Sequence, residues 1–182
     1  MRVIAGSARH LKLKTIEGMG TRPTTDRIKE TLFNMLSFYV EESRFLDLFS
    51  GSGGIGIEAL SRGARKAYFI ENAPKALACI EDNLAFTKMK DRAIVLKQDA
   101  CAGLTGIYEK HVDVIFMDPP YDQEQERRVL EQLRYAKYVS EETLILVEAS
   151  LHTDFSYAED LGFEVIREKK YKTNKHVCLR KK

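Results

Sequence analysis

The sequence predicts an α/β protein built on a mostly parallel β-sheet with helices on both faces. From residue 44 onward, short apolar runs alternate with segments of helical apolar spacing, as in repeated βαβ units. The segment 44–58, RFLDLFSGSGGIGIE, joins an apolar run to a helix through a glycine-rich turn. The last two apolar runs, 163–169 and 176–179, are too close for a crossover, so they must form an antiparallel hairpin.

The segment before the glycine-rich turn predicts a small extension and one helix. Alternating residues at 3–5 and 11–15 predict two short strands that form a β-hairpin across 6–10. N-cap candidates at 21–26 then precede apolar residues at helical spacing, which predict a helix at about 25–39.

The remainder of the chain predicts right-handed βαβ crossovers. One helix follows the glycine-rich turn and continues through Leu60, and two more are expected at 74–87 and 125–138. Pro74 suits the first turn of its helix, because proline lacks the N–H that is unsatisfied there anyway. The predicted strands of the sheet are 45–49, 66–70, 93–96, 111–117, 143–147, 163–169 and 176–179.

Length and composition indicate a soluble protein of one domain. With 182 residues, the chain can form one core of useful size, with a hairpin extension at 1–22 and the core domain at 23–182. No apolar run approaches the roughly 20 residues that span a bilayer. Three scattered cysteines without CxxC spacing predict reduced thiols and a cytoplasmic location; these are Cys79, Cys101 and Cys178.

Charge is distributed unevenly along the chain. Residues 1–29 carry a net charge of +5 and residues 167–182 carry +7, so the rest carries −10 of the +2 total. Basic ends around an acidic middle suit a protein that binds a polyanion, although solvated termini would look similar. The candidate RNA-binding residues are Arg9, Lys12, Lys14, Arg22, Arg27, Lys172 and Lys175.

The glycine-rich turn predicts a nucleotide-containing ligand. Gly51, Gly53 and Gly56 satisfy G-x-G-x-x-G, and Glu71 follows Gly51 by 20 positions, where an acid could bind ribose hydroxyls. This pattern alone would also fit NAD, or a simple turn from strand to helix. Asp47 favours a ligand with an ammonium group and would repel a pyrophosphate. S-adenosylmethionine, with one adenosine and an amino-acid tail, fits better.

The candidate cofactor set extends beyond these residues. Asp99 follows the third predicted strand and could accept a hydrogen bond from an adenine amine, although a capping or turn role is the alternative. The set is completed by neighbours of the named acids and glycines, namely Ser50, Asn72 and Ala100.

The second candidate site is Asp118-Pro119-Pro120-Tyr121, directly after the fourth predicted strand. Asp118 offers a carboxylate, Pro119 offers only a carbonyl, and Tyr121 offers a flat aromatic face. Two acceptors beside a stacking ring suit a planar base with an exocyclic amine, whose nitrogen could then attack a sulfonium methyl. A rigid turn before a helix is the alternative. His10, His111, His152 and His176 show no metal-ligand spacing, so no metal is expected.

These motifs together resemble a known family. DLFSGSGGIGIEALSRGA, FIEN at 69–72, QDA at 98–100 and MDPPY resemble class I S-adenosylmethionine-dependent amino methyltransferases, which have a Rossmann-like fold with a seven-stranded sheet. MRVIAG at the start and TRPTTDRIKETLFNML at 21–36 are similar to the RsmD family of bacterial 16S rRNA guanine-N2 methyltransferases. The similarity covers essentially the whole chain.

The resemblance implies roles for the candidate residues. It places Asp47, Gly51, Gly53 and Gly56 at the methionine end of the cofactor, Glu71 at the ribose and Asp99 at the adenine. It places Asp118 to Tyr121 at the target guanine. We expect a monomer that acts on 16S rRNA, either free or in a small-subunit assembly particle. The loop at 7–10 departs from the family, which is often richer in arginine and glycine there.

Three competing functions belong to other classes. A DNA adenine-N6 methyltransferase would share DPPY, but it usually needs an inserted target-recognition region for which the connections here are too short. A non-catalytic RNA-binding module would leave both site motifs without a role. An NAD oxidoreductase would explain the glycines but not DPPY.

Overall fold

A computed structural model describes residues 1–16, 26–121 and 123–182. Its sheet has seven strands in the order β3-β2-β1-β4-β5-β7-β6, and β7 is antiparallel to both of its neighbours. The strands are β1 Arg44–Leu48, β2 Lys66–Glu71, β3 Ala93–Lys97, β4 Val114–Met117, β5 Leu144–Ser150, β6 Phe163–Lys170 and β7 Asn174–Lys181. The mostly parallel sheet and the C-terminal antiparallel hairpin are therefore confirmed.

Helices cover both faces of this sheet. In the described part of the chain they are α1 Asp26–Met35, α2 Gly54–Ser61, α3 Pro74–Phe86, α4 Ala100–Gly103 and α5 Gln125–Leu133. Alternate residues of every strand except the exposed edge strand β6 enter two separate apolar clusters, as the period of two in a strand requires. One cluster packs beneath α1, α2 and α3, and the other beneath α4 and α5.

Two predicted elements end earlier than the apolar spacing indicated. Helix α5 stops at Leu133 and not at 138, because the following residues turn and the Tyr138 carbonyl accepts the Val112 N–H at 2.9 Å. This contact also explains why β4 begins only at Val114, three residues after the predicted start. Helix α1 ends at Met35 and not near 39, since the chain turns at once toward β1.

The N-terminal segment pairs with itself less extensively than predicted. A single antiparallel bridge joins Arg2 to Lys12, and Val3 donates its N–H to the Leu11 carbonyl at 2.9 Å. Gly6 adopts φ +82°, and a Cβ there would lie 1.7 Å from the Ser61 carbonyl oxygen. The segment therefore lies directly on the end of α2, where the Ser7 N–H also donates to the Ser61 carbonyl at 2.8 Å.

A buried ion pair holds that segment in place. Glu58 of α2 lies 2.9 Å from the Lys29 ammonium, and both side chains are fully buried. The same carboxylate accepts the backbone N–H groups of Ile4 and Ala5 at 2.8 and 3.0 Å, and the Lys29 ammonium donates to the Arg2 carbonyl. Glu58 also pairs with Arg62 at 2.8 Å, so it is the removal of Glu58 that would leave a buried charge, the Lys29 ammonium, without its partner, which costs about 3–5 kcal/mol.

Candidate active site

The candidate site lies along the carboxyl edge of the parallel strands. Asp47 is in β1, Glu71 ends β2 and Asp118 directly follows β4. The three carboxylates are close enough to affect one another, because Asp47 raises the pKa of Asp118 and Glu71 raises the pKa of Asp47. Strand topology therefore brings together three acids that lie far apart in the sequence.

The glycine-rich turn leaves its backbone open to a ligand. Gly51 and Gly53 adopt φ values of +54° and +76°, which other residues rarely adopt. Apart from its two chain neighbours, no described residue has a heavy atom within 4 Å of the position that a Cβ on Gly51 would take. Gly56 is needed for a different reason, since its Cβ would lie 2.4 Å from the Phe69 ring.

Asp47 connects this turn to the sheet. Its buried Oδ2 accepts the Gly56 backbone N–H at 2.8 Å, at the beginning of α2. Burial raises the pKa of Asp47 to about 7, the Gly56 hydrogen bond opposes the change, and the Glu71 carboxylate adds to it. A positively charged group at this position would stabilise the ionised form.

Glu71 is held by backbone N–H groups. Its Oε2 accepts from Gly51 at 2.9 Å, and its Oε1 accepts from Asn72 and Ala73, each at 2.9 Å. A carboxylate has about four lone-pair positions, so it can still accept from a ligand hydroxyl. Ser50 stabilises the same turn, because its hydroxyl donates a hydrogen bond to the Asp47 carbonyl at 2.6 Å.

Asp99, which follows the third strand, makes the capping contact that was the alternative to adenine binding. Asp99 Oδ1 accepts the Ala102 N–H at 3.1 Å and so caps the short helix α4. Its side chain is exposed and Oδ2 remains available, while the neighbouring Ala100 is buried. Asn72 is also exposed, at the end of β2.

The segment from Asp118 to Tyr121 forms the opposite side of the site. Burial raises the pKa of Asp118 well above its usual range, and the carboxylates of Glu148 and Asp47 raise it further. Pro119 is buried, Pro120 is exposed and Tyr121 is 44% exposed, so its ring is accessible. Burial, together with Glu148 and Asp118, raises the pKa of Tyr121 to about 12.

Sequence reasoning missed a buried polar cluster beside Asp118, formed by Glu148, Tyr171, Asn174 and His176. Glu148 lies opposite His176 in the β5–β7 pairing, and both are buried. A signal was available in the sequence. Glu148 is a charged residue near the end of the apolar strand LILVEAS, as Asp47 is in RFLDL.

The predicted RNA-binding residues differ in their exposure. Arg9, Lys12, Arg27 and Lys172 are exposed, and Lys12 lines a surface cavity of about 310 Å³ with Arg2 and His10. Lys14 is exposed but pairs with Asp82 at 2.7 Å. Lys175 is buried and pairs with Glu168 at 3.0 Å. Arg22 lies outside the described residues.

The hairpin that carries Lys172 lies where the sequence placed it. Because β7 is antiparallel to both β5 and β6, β6 runs parallel to β5. The connection between β6 and β7 therefore emerges at the carboxyl edge of the sheet, next to the candidate site.

The strand order, together with the glycine-rich turn beside Asp47, defines a class I methyltransferase fold. A solved Escherichia coli protein, yhhF, described as a candidate methyltransferase, superimposes with a TM-score of 0.83 at 31% identity; the match covers 100% of this chain and 98% of that one. A solved Haemophilus influenzae protein, described as a candidate methylase, gives a TM-score of 0.82 at 31% identity, covering 99% and 97% of the two chains.

Sequence comparison narrows this class to one family. The family model described as "Conserved hypothetical protein 95" matches residues 1–180. Ribosomal RNA small subunit methyltransferase D of Haemophilus influenzae is 38% identical, over 81% of this chain and 78% of that protein. The Escherichia coli protein of the same name is 36% identical, over 83% and 75%. The chain belongs to this family, the RsmD family.

Neither a metal-binding cluster nor a membrane-spanning helix occurs among the described residues. No group of three or more His, Cys, Asp or Glu side chains in them could hold a metal ion. No helix formed by them is long and apolar enough to cross a membrane.

Replacing Asp47 by Asn should change how stability depends on pH. The raised pKa means that the folded protein retains a proton that the unfolded chain loses above pH 3.8, so stability falls between about pH 4 and 7. The slope is at most about 1.4 kcal/mol per pH unit. Asn keeps an acceptor for the Gly56 N–H without the charge.

The measurement is the free energy of unfolding by urea, between pH 4 and 8, for both proteins. Asp47→Asn should gain stability relative to the wild type as pH rises, and the gain should become constant above about pH 7. A difference that does not vary with pH would show that Asp47 is ionised throughout this range.

Proposed function

We propose that this chain is an S-adenosylmethionine-dependent methyltransferase that modifies the exocyclic N2 amine of a guanine in 16S rRNA. The observation that carries the proposal is the convergence of two motifs at one edge of the sheet. The glycine-rich turn with Asp47 lies on one side, and Asp118 to Tyr121 lie on the other. The names of the relatives support rRNA of the small subunit as the substrate class.

The charge of the site fits S-adenosylmethionine. Burial is the largest cause of the raised pKa values of Asp47 and Asp118, and repulsion from neighbouring carboxylates adds to it. A ligand with ammonium and sulfonium groups would relieve that repulsion, whereas a pyrophosphate would increase it. Asp47 would hold the ammonium end through its charge, the Gly51 backbone would lie against the ligand, and Glu71 would accept from the ribose hydroxyls.

Asp118 and the Pro119 carbonyl would orient the acceptor amine. S-adenosylmethionine supplies an electrophilic methyl group on a positively charged sulfur. Hydrogen bonds from both amine protons to these two acceptors would leave the nitrogen lone pair free for in-line attack. The new N–C bond forms as the C–S bond breaks toward sulfur, and the nitrogen then loses one proton. The raised pKa of Asp118 makes it a suitable acceptor for that proton.

The direct test is incubation with methyl-labelled S-adenosylmethionine and each of three substrates: free 16S rRNA, small-subunit assembly particles that lack the modification, and duplex DNA. Nucleoside analysis should find label in N2-methylguanosine from one or both RNA substrates. Asp118→Ala should lose most methyl transfer while still binding the cofactor, because Asp118 is assigned to the acceptor amine. Label in N6-methyladenine from DNA would instead establish the alternative function.

Replacing Glu71 by Ala should weaken binding of S-adenosylmethionine by roughly 1.5–3 kcal/mol, the usual value for hydrogen bonds to a charged acceptor. Glu71 also holds the Gly51 N–H, so the melting temperature of the variant must be measured beside its affinity. Asp91→Ala is a suitable control, since Asp91 is exposed in the connection before β3. Unchanged affinity by calorimetry in a folded Glu71→Ala protein would remove Glu71 from the site.

Replacing Lys172 by Ala should weaken RNA binding and leave cofactor affinity unchanged. Lys172 is exposed at the hairpin tip beside the site, and one lost phosphate contact lowers the salt slope by about 0.7–0.9. Lys175 is less suitable, because its removal would also break the pair with Glu168.

The matched control is Lys137→Ala, an exposed lysine shortly before β5 and therefore at the opposite edge of the sheet. The apparent KM for the RNA substrate should be measured for each protein at several salt concentrations. Wild-type values for Lys172→Ala at every concentration would mean that this lysine is only solvated.

A further inference from the structure

The buried cluster of Glu148, Tyr171, Asn174 and His176 has no role in the function proposed above. It lies where β5 and β7 pair, and Glu148 raises the pKa values of both Asp118 and Tyr121. The register explains this proximity, since Met117 pairs with Val147 and each is followed directly by one of the two acids. The cluster therefore adjoins the site assigned to the target base.

Hydrogen bonds within the cluster fix the orientation of the Asn174 amide. Asn174 Nδ2 donates to Glu148 Oε1 at 2.5 Å, and His176 Nε2 lies 3.3 Å from Glu148 Oε2. The Tyr171 hydroxyl lies 2.9 Å from His176 Nδ1. An ionised carboxylate only accepts hydrogen bonds, so it must face the NH₂ side of the amide. The carbonyl oxygen of Asn174 must then face away from Glu148.

That oxygen is an acceptor without a donor. Asn174 is 5% exposed, and no hydrogen-bond partner for its Oδ1 occurs among the residues that the structure describes. A buried polar atom that lacks a hydrogen bond costs about 1–3 kcal/mol, so its presence in a folded protein calls for an explanation, such as a bound ligand. Asn174 also opposes the rise in the pKa of Tyr121, so its amide lies near the ring assigned to base stacking.

A guanine supplies the donor that this oxygen lacks. In guanine, the ring atom N1 next to the C2 amine carries a hydrogen, so the edge presents donors from both positions. In adenine, the ring nitrogen next to the C6 amine carries no hydrogen and accepts instead. A pocket with acceptors at both positions would therefore bind guanine and reject adenine.

We propose that Asn174 is a specificity-determining residue, whose Oδ1 accepts the N1–H of the target guanine while Glu148 holds its amide in orientation. The inference rests on the proposed function and adds the group that selects guanine. A site built around such a hydrogen bond discriminates strongly against a base that lacks the donor, because the acceptor then remains unpaired. The alternative is that Asn174 only fastens β7 to β5 through Glu148.

The test uses 2-aminopurine, which keeps the C2 amine of guanine but has no hydrogen on N1. The site of methylation is first mapped with labelled cofactor. 16S rRNA is then prepared by splinted ligation with either guanosine or 2-aminopurine riboside at that position. Both RNAs are supplied free and assembled into small-subunit particles, and kcat/KM is measured for each.

The wild-type protein should prefer guanine by at least about 100-fold. Asn174→Ala should lose most of its rate on guanine but little on 2-aminopurine, so that the preference falls below about 10-fold. Glu148→Gln should also reduce the preference, because its amide can no longer fix the orientation of Asn174. Glu164→Ala, an exposed change on the same hairpin, should leave the ratio unchanged.

Two results would overturn the inference. One is a wild-type protein that uses both bases equally well, and the other is an Asn174→Ala protein that loses the same factor on both bases. The second result is the outcome of a purely structural role, since a disturbed hairpin would not distinguish between the bases. Methylation of neither RNA by the wild-type protein would instead contradict the proposed function itself.

Discussion

The hydrogen bond between the buried Asp47 carboxylate and the Gly56 N–H is the constraint on which the site depends. It joins strand β1 to the first turn of α2, so the backbone between them must form a tight loop. The Phe69 ring fills the space that a side chain at Gly56 would need. Burial raises the pKa of this carboxylate to about 7. The loop that its hydrogen bond closes keeps the Gly51 backbone accessible.

The distribution of charge differs between the inside of the candidate site and the surface of the protein. Acidic groups, including Asp47, Asp118 and Glu148, lie close together inside the candidate site, where the proposed function assigns them a cationic ligand and an amine. Basic residues such as Lys12 and Lys172 are exposed and suit a surrounding polyanion. A modest net charge of +2 therefore results from two opposed fields, and the total alone would indicate neither.

The sequence predicts the sheet well because each parallel strand is an apolar run bounded by turn residues. It predicts Asp47 and Asp118 for a related reason, since each acid lies at the end of such a run. Tertiary contacts decide the rest. The end of α5 depends on the contact between Tyr138 and Val112, and the Asn174 amide acquires its role only when β7 pairs with β5. Long-range pairing of this kind leaves no local periodicity.

The buried pair of Lys29 and Glu58 has an evolutionary consequence. Replacing Glu58 alone would leave the Lys29 ammonium isolated in the core, whereas a simultaneous change to two apolar residues of similar volume could preserve stability. Such a double change would still remove the acceptor that holds the Ile4 and Ala5 N–H groups. Three segments that are distant in the sequence thus depend on one buried contact, and we expect these positions to covary among the relatives of this chain.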